Sequence, residues 1–307
     1  MSVPHSKVII NPAAGGYSIR KEWPRISGQL KDIGLSFDYE YSEGAGHAIE
    51  LARGAVDAGY HYIIAVGGDG TVNEVANGIL SSTNSDKVIL GIVSAGTACS
   101  FARSLGIAQD YVSACSLLTG QGRALIDVGV VQCWSQGRPL QRFFVNAADV
   151  GFGAAIVDTW KRLPNRFDHN INYILRTVEG FRSLFIHRNK WIKLRVGNKV
   201  ETICSCAVVV ANGRYFAGRM QIAPHARLDD GLLDVVIVGD VSKSELLKIW
   251  PTLYSGSHIK HPKIRVKKTT TVIIESDEQL LVEADGEILG EGPASFWVIP
   301  SALTIVV

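Results

Sequence analysis

The sequence predicts two lobes: an α/β lobe with a mostly parallel sheet over residues 1–128, and a β-sandwich-like lobe over residues 129–295. Two observations carry this reading. Up to Asp127, short apolar runs alternate with helix-compatible segments, the pattern of a parallel sheet covered on both faces. Beyond it, eight β-rich runs follow closely: VGVVQCW, RFFVNAADV, WIKLRV, SCAVVVAN, LLDVVIV, KIRVKK, TVIIES and LLVEA. The 155–190 stretch and a helix over Lys243 to Tyr254 interrupt them.

In the first lobe, strands are expected near 7–10, 35–41, 62–66 and 88–93, with helices near 19–33, 46–58, 71–81, 98–105 and 110–119. Three of the strands leave through turn-forming residues. Lys7 to Ile10 runs into Asn11-Pro12-Ala13-Ala14-Gly15-Gly16, Tyr62 to Val66 into Gly67-Gly68-Asp69-Gly70-Thr71, and Val88 to Val93 into Ser94-Ala95-Gly96-Thr97. Glycine lets a chain turn sharply and approach a ligand without a Cβ in the way. A helix beginning at such a turn aims unpaired N–H groups and partial positive charge at the same place, which suits a phosphate. The plain alternative is a strand-to-helix turn with Asp69 or Thr71 as its cap.

The 307 residues suffice for two cores, and 47% apolar with 20% charged residues is ordinary for a folded chain. No apolar stretch reaches the ~20 residues that span a bilayer. The N-terminus lacks the layout of a secretory signal, so a cytoplasmic protein is expected. Five scattered cysteines make no disulfide framework, and Cys204 and Cys206 read as buried thiols rather than metal ligands. Charge is uneven. Trp160 to Arg195 holds nine Lys/Arg against two acids, so it carries +7 and the remainder of the +2 chain −5. Ile171, Ile174, Leu175, Val178, Phe181 and Leu184 recur there at helical spacing. The stretch is either a solvated face or a basic amphipathic surface for anionic lipid, giving peripheral membrane association. No nucleic-acid recognition motif accompanies it, and nucleic acid is not an expected partner. An exposed strand edge in the second lobe would let two chains pair as a homodimer.

The glycine exits, together with FVNAADVGFGAA (Phe144 to Ala155), the stretch Ala211 to Val238, and VEADGE (Val282 to Glu287), resemble the diacylglycerol kinase catalytic-domain family. That family includes bacterial soluble lipid kinases and the sphingosine and ceramide kinases. The resemblance runs over nearly the whole chain. It implies a catalytic cleft between the lobes, a last strand (296–307) returning to the first lobe, and ATP- and Mg²⁺-dependent phosphorylation of a hydroxyl on a membrane lipid such as diacylglycerol.

The resemblance also implies residue roles. Asn11, Pro12 and Gly15 match the first nucleotide loop. Gly67, Gly68, Asp69, Gly70 and Thr71, with Asn73 and Glu74, match the second, and Gly96 and Thr97 the third. Ser42 stands where relatives carry Thr. Asp69 needs a cation or N–H groups to sit beside a triphosphate, or else caps its loop. Asp285 matches the general base and Glu287 is its helper, although Asp-Gly is also a common hairpin turn. Arg227, Asp230 and Leu232 match a turn that holds a structural cation through oxygens, as Mg²⁺ or Ca²⁺ prefers. Asp127 matches an acidic position tied to the active-site network. The chain departs from the family at Cys99-Ser100, where relatives carry Asn-Asp. The loss of a carboxylate there keeps open a silent lipid-binding protein of the same fold. An NAD kinase is the remaining alternative, disfavoured because Asn73-Glu74 sits directly after the turn.

Overall fold

A computed structural model describes residues 5–96, 98–162, 179, 180, 182, 183 and 185–307. Thr97, Ile171, Ile174, Leu175, Val178, Phe181 and Leu184 lie outside the described residues. The chain divides into two compact units, residues 1–128 with 299–307 and residues 129–298.

The first unit runs β1 (Ser6–Ile10), α1 (Ala14–Asp32), β2 (Phe37–Tyr41), α2 (His47–Asp57), β3 (Tyr62–Gly67), α3 (Asp69–Leu80), β4 (Ile89–Ser94), α4 (Ser100–Ser104) and α5 (Tyr111–Leu117). Its strands are parallel, in the order β4-β3-β1-β2. Thr304 and Ile305, from the end of the chain, pair in parallel with Ile89 and Leu90 of β4, on the side away from β3. Every residue of β3 is buried, as expected of an uninterrupted apolar strand covered on both faces. Its neighbours in the core include Ile10, Ile26, Leu30 and Val93. The chain passes from β1 outward to β2, then back across β1 to β3. The gap between β1 and β3 is therefore the topological switch point, where open α/β sheets bind ligands at the C-terminal ends of their strands.

The second unit begins in β5 (Arg123–Ser135) and continues through β6 (Arg138–Phe144), β7 (Ala147–Gly151), α6 (Phe152–Arg162), β8 (Lys190–Val196), β9 (Lys199–Ser205), β10 (Ala207–Ala211) and β11 (Leu233–Val238). It is completed by α7 (Lys243–Thr252), β12 (Ile264–Thr269), β13 (Thr271–Glu275), β14 (Leu281–Ala284) and the first part of β15 (Glu287–Val306). Antiparallel strands β12-β11-β10-β7-β14-β15 form one layer. Strands β13, β8 and β9 extend from β15 to form the other. Val150, Val210, Val235 and Val282 meet Leu194, Val272, Ile274 and Phe296 in the core between the layers. On the opposite face of the first layer, Val209 and Val236 pack with Phe152 and Ile156 of α6 and with Leu246 and Ile249 of α7. A capping box between Ser242 and Glu245 starts α7.

The β-rich run RFFVNAADV holds parts of two strands, β6 and β7. It breaks at Val145 and Asn146 because their N–H groups, with that of Ala147, turn to the carboxylate of Asp285.

Candidate active site

In the first unit the exits of four parallel strands share one rim. Asn11 follows β1, and its N–H bonds the Val66 carbonyl of β3 at 3.0 Å. Its side-chain amide reaches forward, donating from Nδ2 to Thr71 Oγ1 at 3.0 Å and accepting at Oδ1 from Ala13 N–H at 3.0 Å. The exits of β1 and β3 are thereby tied across the switch point. Ser42, after β2, is buried and donates its N–H to the Ile10 carbonyl at 2.8 Å. Pro12 is half-buried, and Gly15 is in the left-handed region at φ 59°.

The β3 and β4 exits pack backbone to backbone. A Cβ on Gly96 would stand 2.4 Å from the Gly68 Cα, and one on Gly67 would stand 2.3 Å from Thr71 Oγ1. Gly68 is the extended N-cap residue of α3, which has no side-chain cap. The first N–H groups of α3 therefore face the rim without a cap from the N-cap residue. A Cβ added at Gly70 would meet no neighbouring atom within 4 Å.

The acidic residues of this stretch work mainly within the fold. Asp69 is the first residue of α3, not its cap. Its carboxylate accepts from Ser100 N–H at 2.9 Å and Phe101 N–H at 3.0 Å, closing the start of α4. Cys99 enters α4 in the left-handed region at φ 48°, and its thiol donates to the Gly96 carbonyl at 3.2 Å. Burial raises that thiol's pKa, with the charge of Asp69 adding to the effect. Glu74 accepts from Gly46 N–H at 2.9 Å and Ala48 N–H at 3.1 Å and so caps α2. Asn73 is buried against Asn77, whose Nδ2 donates to its carbonyl and its Oδ1. Asp127 accepts from Ser301 N–H at 2.8 Å, fixing a left-handed bend in β15.

In the second unit, three sequence blocks that are far apart in the chain converge. Asp285 and Gly286, at φ 48° and 85°, turn the β14–β15 hairpin, a left-handed pair that Asp-Gly accommodates. Asp285 Oδ2 accepts from Val145 N–H at 2.8 Å, and Oδ1 accepts from Asn146 and Ala147 N–H at 3.1 and 2.9 Å. Its own N–H returns to the Ala147 carbonyl at 2.9 Å. The same loop is pinned from its other side, because Asn212 Nδ2 donates to the Val145 carbonyl at 2.9 Å and Asn146 Nδ2 to that of Tyr215 at 2.7 Å. Asp285 is thus both a hairpin turn and an oriented carboxylate. Glu287 opens β15, two residues on.

Two buried carboxylates behind this turn were missed from sequence. Glu283 is fully buried and accepts from Gly286 N–H at 2.9 Å. Directly across the strands lies Asp149 of β7, buried, whose Oδ1 accepts from Ala154 N–H in the first turn of α6 at 2.7 Å. Burial pushes Asp149 up to about 7, against the lowering effect of the Ala154 and Gly153 N–H groups. The available signal was an acid inside each of the apolar runs NAADVG and LLVEA.

The turn matched to a cation has other partners. Arg227 pairs with Asp229 at 3.0 Å. Asp230 Oδ1 accepts from Leu232 N–H at 3.2 Å, and its Oδ2 meets the Lys268 ammonium at 2.5 Å. Lys268 stands opposite Asp234 in the β11–β12 register and pairs with that carboxylate too, at 3.3 Å. In the structure the Asp230 carboxylate is thus engaged by an N–H group and by the Lys268 ammonium, which supplies positive charge at this turn. Among the described residues no group of three or more His, Cys, Asp or Glu could hold a metal.

Comparison with known proteins agrees with both halves. A model described as the diacylglycerol kinase catalytic domain matches residues 5–131, and one described as the YegS C-terminal NAD kinase beta sandwich-like domain matches residues 147–307. A diacylglycerol kinase of Staphylococcus haemolyticus is 28% identical over 291 residues, covering 95% of this chain and 84% of that protein. One from Staphylococcus aureus strain MRSA252 is 29% identical over 293 residues, covering 95% and 88%. The crystal structure of a diacylglycerol kinase from Bacillus anthracis superposes with a TM-score of 0.72 at 21% identity, covering 98% of this chain and 96% of that one. The chain belongs to the diacylglycerol kinase catalytic-domain family, enzymes that transfer phosphate to an alcohol group.

Proposed function

We propose that this protein transfers the γ-phosphate of ATP to a hydroxyl of a membrane lipid of the diacylglycerol type. The observation that carries the reading is the rim at the switch point, where glycine exits pack backbone to backbone beside an α3 N-terminus without a side-chain cap. Phosphoryl transfer asks mainly for positioning and charge compensation, which such a rim offers to a triphosphate. In this reading Asn11, Gly67 to Thr71 and Gly96 cradle the nucleotide, and Asp69 and Glu74 hold the helices that shape the cradle. Mg²⁺ arrives with ATP and offsets its charge. Asp285 receives the lipid hydroxyl and takes its proton, with Glu287 beside it. Membrane contact is peripheral in this reading, and no described helix is long and apolar enough to cross a membrane.

The test is transfer of labelled γ-phosphate from ATP to a panel of lipids in mixed micelles, with NAD as a further acceptor. Labelled lipid is the expected product. Labelling of NAD alone, or of nothing while ATP still binds, would overturn the reading. The second outcome favours a silent lipid-binding protein, to which Cys99-Ser100 and the commitment of Asp69 to α4 point.

Gly96→Ala probes the cradle. The added methyl meets backbone, which cannot rotate away, so the β3 and β4 exits must separate. Overpacking of this kind costs about 1–3 kcal/mol. ATP affinity, read by calorimetry, is expected to fall by about tenfold or more, because separated loops no longer present their N–H groups together.

A further inference from the structure

The lipid-kinase reading leaves unexplained why large apolar side chains stand in water on one short, basic part of the second unit. Residues 182–195 contain Arg182, Arg188, Lys190, Lys193 and Arg195, and no Asp or Glu. Among them Phe185, Ile186 and Trp191 are 61%, 65% and 61% exposed.

Their exposure is imposed by anchored neighbours. His187 N–H bonds the Ser183 carbonyl at 2.8 Å, one helical turn back. Both anchor side chains point inward. Ser183 is buried and donates to Thr159 Oγ1 at 3.2 Å, while His187 Nε2 bonds the Cys206 carbonyl at 3.0 Å and its ring tilts against Phe152. On a helical turn whose inner face is made by residues 183 and 187, residue 185 faces outward and residue 186 lies on the flank, where its side chain is also exposed. The Lys243 ammonium holds the His187 carbonyl, and Asn189 Nδ2 bonds Asp240 Oδ1 at 2.6 Å and the Val241 carbonyl at 2.9 Å. In β8, Ile192 and Leu194 enter the core, so strand alternation turns Trp191, Lys193 and Arg195 outward. His187, Lys190 and Ile192 line one small cavity with Cys206, so the helical turn and the start of β8 meet at the same place.

The charges are only partly answered within the fold. Arg182 has the half-buried Glu179 at 3.5 Å, Lys193 has Glu275 at 3.2 Å in solvent, and the Lys190 ammonium donates to the Gln279 carbonyl. Exposed ion pairs of this kind contribute little and give way to a stronger anion. Aromatic and aliphatic side chains held outward and flanked by Arg and Lys match a bilayer interface with anionic headgroups. The apolar groups enter the acyl boundary while the cations stay at the phosphate level.

We infer that Phe185, Ile186 and Trp191, flanked by Arg182, Arg188, Lys190 and Arg195, form the edge by which this protein docks on an anionic lipid bilayer. The inference rests on the lipid-kinase reading for its choice of a bilayer over a nucleic acid or a protein partner.

The test is co-sedimentation of the full chain, without ATP, with phosphatidylcholine vesicles and with vesicles that also contain phosphatidylglycerol. Wild type is expected to bind the anionic vesicles and to release with added salt. Ile186→Ser with Trp191→Ala, and separately Arg188→Gln with Lys190→Gln, are each expected to lower partitioning by about tenfold, with unchanged circular dichroism. Transfer to a short-chain lipid dispersed in detergent should survive in both variants. Equal vesicle binding by wild type and variants, absence of binding by wild type, or preferential capture by single-stranded RNA would overturn the inference. Vesicle binding lost in the variants with no lipid phosphorylated by wild type would sink the kinase reading alone. Lipid phosphorylation with unchanged vesicle binding would sink the docking edge alone.

Discussion

Asp285→Asn is expected to lower phosphate transfer by about 10²–10⁴-fold while leaving ATP affinity close to that of wild type. The replacement keeps the shape of the turn residue and removes its charge. It also disturbs the fold in a limited and measurable way. Oδ1 of Asp285 serves two N–H groups and Oδ2 serves one. An asparagine can keep its oxygen at the Oδ1 position, but then its NH₂ faces the N–H of Val145. One buried donor is left without an acceptor, at about 1–3 kcal/mol. Asp285→Ala orphans all three donors and is expected to be the less stable variant, so the asparagine is the cleaner probe of chemistry. Turnover and thermal melting measured on the same preparation separate the effects. A variant that is folded, binds ATP and turns over at the wild-type rate would remove Asp285 as the proton acceptor. A loss of rate that follows the loss of folded protein would make the residue a clamp for the 145–147 loop and nothing more.

Much of this arrangement was legible in the sequence because its signals are local. An uninterrupted apolar run such as Tyr62 to Val66 reads as a doubly covered strand, and it is one. Asp285-Gly286 reads as a hairpin turn because φ is positive at both positions. The destinations of the charged side chains were not legible. Asp69 lies within a glycine turn that suits phosphate and Glu74 just after it, and the family resemblance placed both with the nucleotide. In the fold their oxygens reach the N-termini of α4 and α2, elements from other parts of the chain. Unpaired N–H groups at a helix start attract the nearest carboxylate, and only the packing of α3 against those helices decides which is nearest. The Cys99-Ser100 departure also reads differently beside Asp69. The start of α4 retains an anionic partner, supplied from α3 rather than by its own first residues. Lys268 illustrates the same limit, since its pairing with Asp230 and Asp234 follows from the β11–β12 register.

Register also creates the Asp149–Glu283 pair, and with it a stability difference that depends on pH. Asp149 titrates near 7 in the folded protein because burial penalises its charged form, against about 4 in the unfolded chain. Between those values the unfolded state has lost the proton and the folded state keeps it, so this residue makes stability fall as pH rises. The penalty is absent below about pH 4 and complete above about pH 7, and three units correspond to at most about 4 kcal/mol. His187 works in the opposite sense nearby. Burial holds it down to about 4, so in the unfolded chain it gains a proton below about 6.5 while the folded protein does not, and stability falls as pH falls. Over the acid half of the range the two slopes offset one another, and the wild-type profile alone is uninformative. Subtracting it from that of Asp149→Asn cancels His187. The asparagine retains an oxygen for the Ala154 N–H and cannot ionise beside Glu283. Its stability relative to wild type, from urea unfolding, is expected to rise steadily from about pH 4 and to level off above about pH 7 at a gain of about 2–4 kcal/mol. A difference that stays constant over that range would mean that Asp149 is already ionised in the fold. The start of α6 would then hold a buried charge, and removing it would cost stability instead of adding to it.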